Sequence, residues 1–250
     1  MKILEEYKNK IICGDCLEVM KDISDKSIDM ILCDLPYGTT ACKWDTIIPF
    51  EPLWEQYKRI IKDNGAIVLT ASQPFTSTLV MSNPDMFRYE WIWDKVKPSG
   101  FQIAKYCPMK QHENILVFSK KTPKYLPIKM PRDKVRINKK NYSKGLSNPL
   151  SKFIKKDRIY SDLLPKSILI FSNAVQKGKV HPTQKPVSLF EYLIKTYTNK
   201  GDLVLDNCAG SFTTAIACIN LKRNWICIEK EKEYCDIGRE RIKNLPERLL

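Results

Sequence analysis

The stretch Met30-Ile31-Leu32-Cys33-Asp34-Leu35-Pro36-Tyr37-Gly38 joins a short apolar run to an acid and then to a proline turn. The apolar run predicts a buried β-strand, with Asp34 at its carboxyl end. Open α/β sheets place ligand sites at the carboxyl ends of their strands. We therefore predict a site at Asp34–Tyr37. There the acid and the carbonyl oxygens of the turn would hold the amino group of a flat molecule, and the Tyr37 ring would stack on its face.

Six further apolar runs predict strands of the same kind, over residues 11–13, 66–70, 91–93, 115–118, 203–205 and 225–228. Between the strands, apolar side chains at helical spacing predict helices over 52–61, 187–198 and 213–222. The alternation of strands and helices indicates an α/β fold. In this fold a mostly parallel sheet of seven strands is covered by helices on both faces.

The net charge of +14 is concentrated in residues 120–180. This segment contains 17 Lys and Arg against three Asp and no Glu, whereas the rest of the chain is neutral. Its five prolines and dispersed apolar residues predict a loop-rich insert between two halves of the sheet. Phosphate contacts require clustered Lys and Arg, so we predict that the insert binds a polyanion. A general bias towards lysine is the alternative explanation.

Cysteine usage and hydropathy indicate a soluble cytoplasmic protein. No apolar run approaches the roughly 20 residues that cross a bilayer, so we expect no membrane partner. The nine cysteines are an odd number and several lie within apolar runs, which is typical of a reducing compartment. One Cys-x-x-Cys pair, Cys13 and Cys16, and two histidines in the whole chain argue against a metal site.

A second informative stretch is Leu203-Val204-Leu205-Asp206-Asn207-Cys208-Ala209-Gly210-Ser211, a predicted strand followed by an acid, a turn of small residues and a predicted helix. This order resembles the first crossover of a nucleotide-binding sheet. Glu229 ends the next predicted strand, nineteen residues after Gly210, where a carboxylate can bind ribose hydroxyls. The other glycines of a dinucleotide-binding motif are absent around Gly210, which argues against a cofactor with a pyrophosphate. An ordinary strand–turn–helix is the alternative for this stretch taken alone.

Three stretches together resemble the exocyclic-amino DNA methyltransferases. Asp34–Tyr37 is similar to their D-P-P-Y motif, His181–Pro186 to an H-P-T-Q-K-P stretch, and Asp206–Thr214 to their D-x-F-x-G-S-G-T-T loop. The order along the chain is catalytic motif, basic segment and cofactor motif, which is the circularly permuted order of the β-class. The resemblance covers nearly the whole chain except the basic insert.

The resemblance implies a Rossmann-like methyltransferase fold with three regions. Residues 1–119 would form the catalytic half of the methyltransferase domain, 120–180 a basic target-recognition insert, and 181–250 the cofactor-binding half. The resemblance also implies S-adenosylmethionine as the cofactor and double-stranded DNA as the partner. A homodimer and a cognate restriction enzyme are further partners that it suggests.

The roles known in the family fall on matching positions of this chain. The catalytic residues implied are Asp34, Leu35, Pro36 and Tyr37. The cofactor-binding residues implied are Asp15, Cys16, Thr183, Lys185, Asp206, Gly210, Ser211 and Glu229. Among them, the methionine portion of the cofactor would meet Asp206, Gly210 and Ser211. Glu229 would bind the ribose hydroxyls and Asp15 the adenine ring, and the cofactor's carboxylate end would lie near Thr183, Gln184 and Lys185.

Two departures from the family pattern matter for function. Leu35 replaces the first Pro of the D-P-P-Y motif, but the carbonyl group that this position offers belongs to the backbone. Phe212 replaces the Gly that follows Ser211. Because Phe disfavours positive φ, we expect Phe212 either to begin the helix with ordinary backbone angles or to crowd the cofactor pocket.

The predicted reaction is direct methyl transfer to an amino nitrogen. Asp34 and a carbonyl group of Leu35 or Pro36 would accept the two N–H groups, and Tyr37 would stack on a base flipped out of the duplex. Transfer to a ring carbon would need a cysteine nucleophile, typically after a proline, and no proline in this chain precedes a cysteine. In the family an Asp-led motif usually goes with adenine N6. The alternatives are cytosine N4, a catalytically weakened DNA-binding relative, and a methyltransferase for RNA or protein glutamine, of which the basic segment makes protein the poorer candidate.

Overall fold

A computed structural model of the chain describes residues 2–38, 45–138, 158–173 and 184–245. Thr183, the preceding His181 and Pro182, and the lysines between 139 and 156 lie outside the described residues. The described strands are β1 Lys10–Cys13, β2 Ile28–Cys33, β3 Ile61–Ala71, β4 Phe87–Ser99, β5 Lys110–Phe118, β6 Met130–Asn138, β7 Arg158–Leu163, β8 Ile168–Ile170, β9 Leu203–Asp206 and β10 Asn224–Glu229.

The described helices are α1 Lys2–Tyr7, α2 Cys16–Lys21, α3 Phe50–Ile60, α4 Phe75–Ser82, α5 Val187–Tyr197, α6 Thr213–Leu221 and α7 Lys232–Lys243, with a 3-10 turn at Phe101–Ile103. The three predicted helices are confirmed as α3, α5 and α6. Within the described parts of the chain, none of these helices has the length and apolar character needed to cross a membrane.

Eight of the described strands form one sheet, in the order β1-β10-β9-β2-β3-β5-β4-β8. All seven predicted strands lie in it, which confirms the α/β fold. Five neighbouring pairs are parallel, and two, β3 with β5 and β5 with β4, are antiparallel. The eighth strand, β8, corrects the predicted number of seven. It has three residues, lies at the sheet edge and buries only Leu169, so its apolar run is too short to stand out from the basic segment.

Helices cover both faces of this sheet. On β2, Ile31 and Cys33 pack into the core beneath α2, α3 and α4, whereas Met30 and Leu32 pack into the core beneath α5 and α6. Side chains that alternate along a strand point to opposite faces of the sheet. A sheet buried on both faces leaves its strand ends as the place where a ligand can bind.

Residues Pro127–Lys166 form a compact unit of their own, and residues 1–126 with 167–250 form the other. The smaller unit lies within the predicted insert 120–180. Its strands β6 and β7 pair antiparallel, with Ile137 opposite Ile159, and an ion pair of 3.2 Å joins Lys129 to Asp162.

Phe212, which precedes α6, has a left-handed backbone with φ +59° and ψ +30°. Its ring is fully buried and packs against Gly238 of α7. Both expectations for this residue were therefore wrong. The left-handed conformation costs roughly 1–2 kcal/mol for a residue with a Cβ. Complete burial of a Phe ring contributes roughly 1.5–3 kcal/mol, which offsets that cost.

We predict that Gly238→Ala destabilises the protein, although Ala is the better helix former by about 1 kcal/mol. A Cβ at this position would lie 2.2–2.7 Å from three ring carbons of Phe212. Overpacking of a buried site costs roughly 1–3 kcal/mol, so the free energy of unfolding should fall. Urea denaturation followed by circular dichroism measures the change.

The control is the same substitution in a Phe212→Ala background. Without the ring, Gly238→Ala should be neutral or stabilising, because only its helix propensity remains. An equal loss of stability in both backgrounds would contradict the assignment of the clash to Phe212.

Candidate active site

Four neighbouring parallel strands end at the same edge of the sheet, each at an acid. Glu229 ends β10, Asp206 ends β9, Asp34 follows β2, and Asp15 follows β1 by one intervening glycine. The register keeps these ends level, since Cys13 lies opposite Glu229 and Cys227 opposite Asp206. Parallel pairing therefore brings together four carboxylates that are far apart along the chain.

A cavity of about 590 Å³ opens at this edge. Each predicted site residue within the described parts of the chain lines it, namely Asp15, Cys16, Asp34, Leu35, Pro36, Tyr37, Lys185, Asp206, Gly210, Ser211 and Glu229. Thr183, the remaining candidate, lies outside the described residues. The cavity is large enough for a nucleoside-sized ligand together with a second flat group.

The Asp34 carboxylate is held by three side chains. Its Oδ1 accepts hydrogen bonds from the Tyr37 hydroxyl at 2.7 Å and from the Thr70 hydroxyl, and its Oδ2 accepts one from Lys185 Nζ at 2.8 Å. A carboxylate offers about four acceptor positions. One position on Asp34 therefore stays available for an N–H group of a ligand.

Lys185 is shared between two carboxylates. Its Nζ lies 2.8 Å from Asp34 Oδ2 and 3.3 Å from Glu113 Oε2, and Glu113 Oε1 lies 3.3 Å from Lys95 Nζ. Burial alone would lower the pKa of Lys185, but the charges of Asp34 and Glu113 outweigh it, so the pKa is raised. The group is a neutral set of two ammonium and two carboxylate groups, and Lys185 stays charged within it.

Three residues of this network, Glu113, Lys95 and Thr70, were missed by the sequence analysis. Glu113 and Lys95 line the cavity, and Thr70 holds Asp34. Glu113 lies one residue before the apolar part of β5, and β5 runs antiparallel to β3. Its amino-terminal half therefore lies at the same edge as the carboxyl ends of the parallel strands. An acid before an apolar run was the available signal, but the sequence does not show strand direction.

The Tyr37 ring stacks on Phe75, with 5.2 Å between the ring centroids and 24° between their planes. Burial raises the pKa of the Tyr37 hydroxyl, and the charges of Asp34 and Glu113 raise it further, so it remains a hydrogen-bond donor. Leu35 is buried in the core next to it, and Pro36 is half-buried. Both residues line the cavity.

Glu229 is oriented by two backbone amides. Gly210 N donates to Glu229 Oε2 at 2.8 Å, and Glu231 N donates to Oε1 at 2.9 Å. Gly210 has φ +47°, and the space where a Cβ would lie is open. A carboxylate fixed at a strand end beside an open glycine fits the ribose of a nucleoside cofactor.

Asp15 and Cys16 contribute to the same side of the cavity. The Asp15 carboxylate caps α2 by accepting a hydrogen bond from Leu17 N at 2.9 Å. A hydrogen bond with Cys208 lowers the pKa of the Cys16 thiol, while burial opposes that shift.

The Ser211 carbonyl accepts a hydrogen bond from Arg241, which ties the loop after β9 to α7.

Asp206 is buried within the loop that follows β9. Its carboxylate accepts hydrogen bonds from Thr214 Oγ1 and from Cys208 N, the latter at 3.2 Å. Burial is the dominant cause that raises the pKa of Asp206 from 3.8 to about 7, although these hydrogen bonds oppose it. Its carboxyl group therefore keeps its proton to a higher pH than an exposed aspartate does.

Comparisons with known proteins point in one direction. A family model described as DNA methylase matches residues 28–240. The Type II methyltransferase M.HpaI of Haemophilus parainfluenzae is 28% identical over 249 residues, which cover 93% of this chain and 74% of that protein. The DNA adenine methyltransferase YhdJ of Escherichia coli (strain K12) is 29% identical over 257 residues, 93% of this chain and 82% of that protein. A solved structure, the M1.HpyAVI-SAM complex, is 26% identical, covers 93% of this chain and 98% of that chain, and has a TM-score of 0.62.

We predict that Asp206→Asn flattens the pH dependence of stability between pH 4 and 7. A raised pKa means that the folded protein holds a proton that the unfolded chain has lost, so the free energy of unfolding of the wild type falls as pH rises from 3.8 to about 7. That fall amounts to roughly 4 kcal/mol for this group. The variant removes the titration but keeps an oxygen for Thr214. Urea denaturation at a series of pH values measures both slopes.

Asp202→Asn is the control for this experiment. Burial raises the pKa of Asp202, but hydrogen bonds from Lys124 and the Asn199 backbone outweigh burial, so the pKa is lowered and its contribution changes below pH 4. This variant should keep the wild-type slope between pH 4 and 7. Equal slopes for wild type and Asp206→Asn would contradict the raised pKa.

Proposed function

The chain belongs to the DNA methylase family, and on that premise we propose that it transfers a methyl group to the exocyclic N6 of an adenine flipped out of double-stranded DNA. It is a DNA methyltransferase that uses S-adenosylmethionine. The contacts of Asp34 with Lys185, Tyr37 and Thr70 carry the proposal, because they prepare an acceptor for an amino group at the cavity wall. Adenine is favoured because YhdJ is named an adenine methyltransferase and because the motif begins with Asp. Cytosine N4 carries the same kind of amino group and is the second candidate.

The residues of the cavity fit S-adenosylmethionine. We assign the ribose hydroxyls to Glu229, the adenine ring to the Asp15–Cys16 side, and the methionine portion to Asp206, Gly210 and Ser211. The open space beside Gly210 and the two amides that fix Glu229 support this assignment. Thr183 remains a proposed contact. When bound, the cofactor supplies an electrophilic methyl group on a sulfonium.

Asp34 and the turn act on the amino group. An amino nitrogen on a nucleobase is a weak nucleophile because its lone pair is delocalised into the ring. Asp34 accepts one N–H, and a carbonyl group of Leu35 or Pro36 accepts the other. These contacts favour a pyramidal nitrogen whose lone pair is free to react, so positioning and electrostatics supply the rate enhancement. Tyr37, whose ring stacks on Phe75, is the residue to which we assign stacking on the base.

Lys185 acts mainly on Asp34 rather than on the cofactor. It contacts Asp34 and Glu113 directly, and its side chain is only 9% exposed. The ammonium group holds the Asp34 carboxylate in place before DNA arrives, so little reorganisation is needed during the reaction. Glu113 in turn balances the charge of Lys185.

The partners beyond the reacting base follow from the charge distribution and the family. We assign DNA recognition to the insert 120–180, where the net positive charge lies, between a catalytic half at 1–119 and a cofactor-binding half at 181–250. A homodimer and a cognate restriction enzyme are part of the proposal, supported by likeness to Type II methyltransferases. Cytoplasmic location is also proposed, and the eight described cysteines, all free thiols, fit its reducing chemistry.

We predict that the wild-type protein, incubated with unmethylated plasmid DNA and S-adenosylmethionine, forms N6-methyldeoxyadenosine. Asp34→Ala should lower this product by about 10²-fold or more, because the acceptor for the amino group is lost. Mass spectrometry of the digested nucleosides measures the product, and calorimetry should find cofactor affinity close to that of the wild type.

Asp25→Ala is the matched control, since it removes an exposed carboxylate that pairs with Arg59. It should keep wild-type activity. Formation of N4-methyldeoxycytidine instead would select the second candidate. Retained turnover in Asp34→Ala would remove Asp34 from its role, and failure of the wild type to bind the cofactor or to form either product would overturn the proposed function.

For Lys185→Met we predict a loss in kcat of about 10²-fold with little change in cofactor affinity. The substitution leaves Asp34 and Glu113 without their shared cation. Single-turnover kinetics measures methyl transfer, and calorimetry measures cofactor binding. Lys185→Arg retains the charge and should recover part of the rate.

Lys195→Met, on the exposed side of α5, is the control for loss of a lysine at a neighbouring position. If Lys185→Met instead weakens cofactor binding and leaves kcat unchanged, Lys185 is assigned to the cofactor's carboxylate end.

A further inference from the structure

The hairpin of β4 and β5 ends in a segment, residues 96–111, that comprises the ends of both strands and the loop between them, and we call this segment the tip loop. Its large apolar side chains are turned to solvent, with Phe101 79% and Tyr106 88% exposed and with Val96, Ile103 and Met109 also exposed. A cluster of exposed apolar side chains on a soluble protein marks an interaction surface. The reaction proposed above makes no use of these residues.

Backbone hydrogen bonds give the tip loop a defined shape. Ile103 N donates to Gly100 O at 3.1 Å, Tyr106 N donates to Ile103 O at 2.9 Å, and Gly100 has φ +90°. The Ser99 hydroxyl donates to Lys110 O at 3.3 Å across the base of the loop. An aromatic side chain on such a turn is presented at a small entropic cost of binding.

The tip loop begins and ends at the cavity. Ser99 of the tip loop lines the cavity, and so do Lys95 and Glu113, which flank the tip loop on its two sides. A base that enters the cavity from a duplex therefore brings the neighbouring base pairs to the tip loop.

The positive charge of the tip loop favours a negatively charged partner. Lys97, Lys105 and Lys110 lie in it, and the sequence has no Asp or Glu between Asp94 and Glu113. Lysines beside exposed aromatic rings are the combination that binds phosphates and stacks on bases. A symmetric contact with a second copy would instead bring two positive loops together, which like-charge repulsion opposes.

We propose that the tip loop docks on duplex DNA beside the flipped base. Phe101 and Tyr106 stack on bases left exposed by the flip, and Lys97 and Lys105 contact phosphates. The proposal rests on the proposed function in one respect, which is that the flipped base occupies the cavity.

The test uses two double variants of the full chain, Phe101→Ala with Tyr106→Ala and Lys97→Gln with Lys105→Gln. In the aromatic variant, the single-turnover rate of methyl transfer on unmethylated plasmid DNA should fall by about tenfold. The affinity of this variant for a labelled mixed-sequence duplex should fall by about the same factor. The lysine variant should reduce the slope of log affinity against log salt by about 2. Cofactor affinity and unfolding midpoints should not change, because all four side chains are exposed. Met81→Ala, which truncates a 73% exposed side chain on α4, is the control.

Unchanged duplex affinity and rate in the aromatic variant would overturn the proposal, as would an unchanged salt slope in the lysine variant. A wild-type dimer in sedimentation that the aromatic variant abolishes without DNA would assign the tip loop to a second copy. If the wild type transfers no methyl group, the proposed function fails, and duplex affinity alone then tests whether the tip loop docks on DNA. Weaker duplex binding by both variants supports this docking, and unchanged duplex binding overturns it.

Discussion

A single ammonium group, that of Lys185, links the parts of this site. It lies before α5 but contacts Asp34 at the end of β2 and Glu113 on β5, so it joins segments that are far apart along the chain. Charges shielded from water are costly unless they are paired. Each member of the group therefore depends on the others, and Lys95 completes the balance. The Asp34 carboxylate is thereby fixed before any substrate binds.

The sheet explains why motif order along the chain has no effect on the site. Strand β9 lies between β10 and β2, and Val204 and Leu205 pair with Met30 and Ile31. The loop after β9, which comes late in the sequence, therefore lies beside the turn after β2, which comes early. Hydrogen bonding between adjacent strands depends on spatial order alone, so the permuted chain builds the same edge of acids.

Much of this site could be predicted from the sequence, because an apolar run that stops at an acid identifies a strand end. Asp34, Asp206 and Glu229 were identified in this way, and all three line one cavity. The positions of Glu113 and Lys95 depend on the direction of β5 and its pairing with β4, which no local pattern contains. Strand β8 was missed because three residues are too few to show a period, and the backbone of Phe212 was mispredicted because tertiary packing outweighed its local preference.

The contact between Phe212 and Gly238 also restricts which substitutions the chain tolerates. The family motif has Gly at the position of Phe212, and a ring there needs a partner helix without a Cβ. With the ring in place, any side chain at 238 meets it, so the two positions are coupled. A substitution that is harmless at 238 without the ring is therefore destabilising with it. This coupling lies outside the chemistry, yet it limits the sequences that can carry the same site.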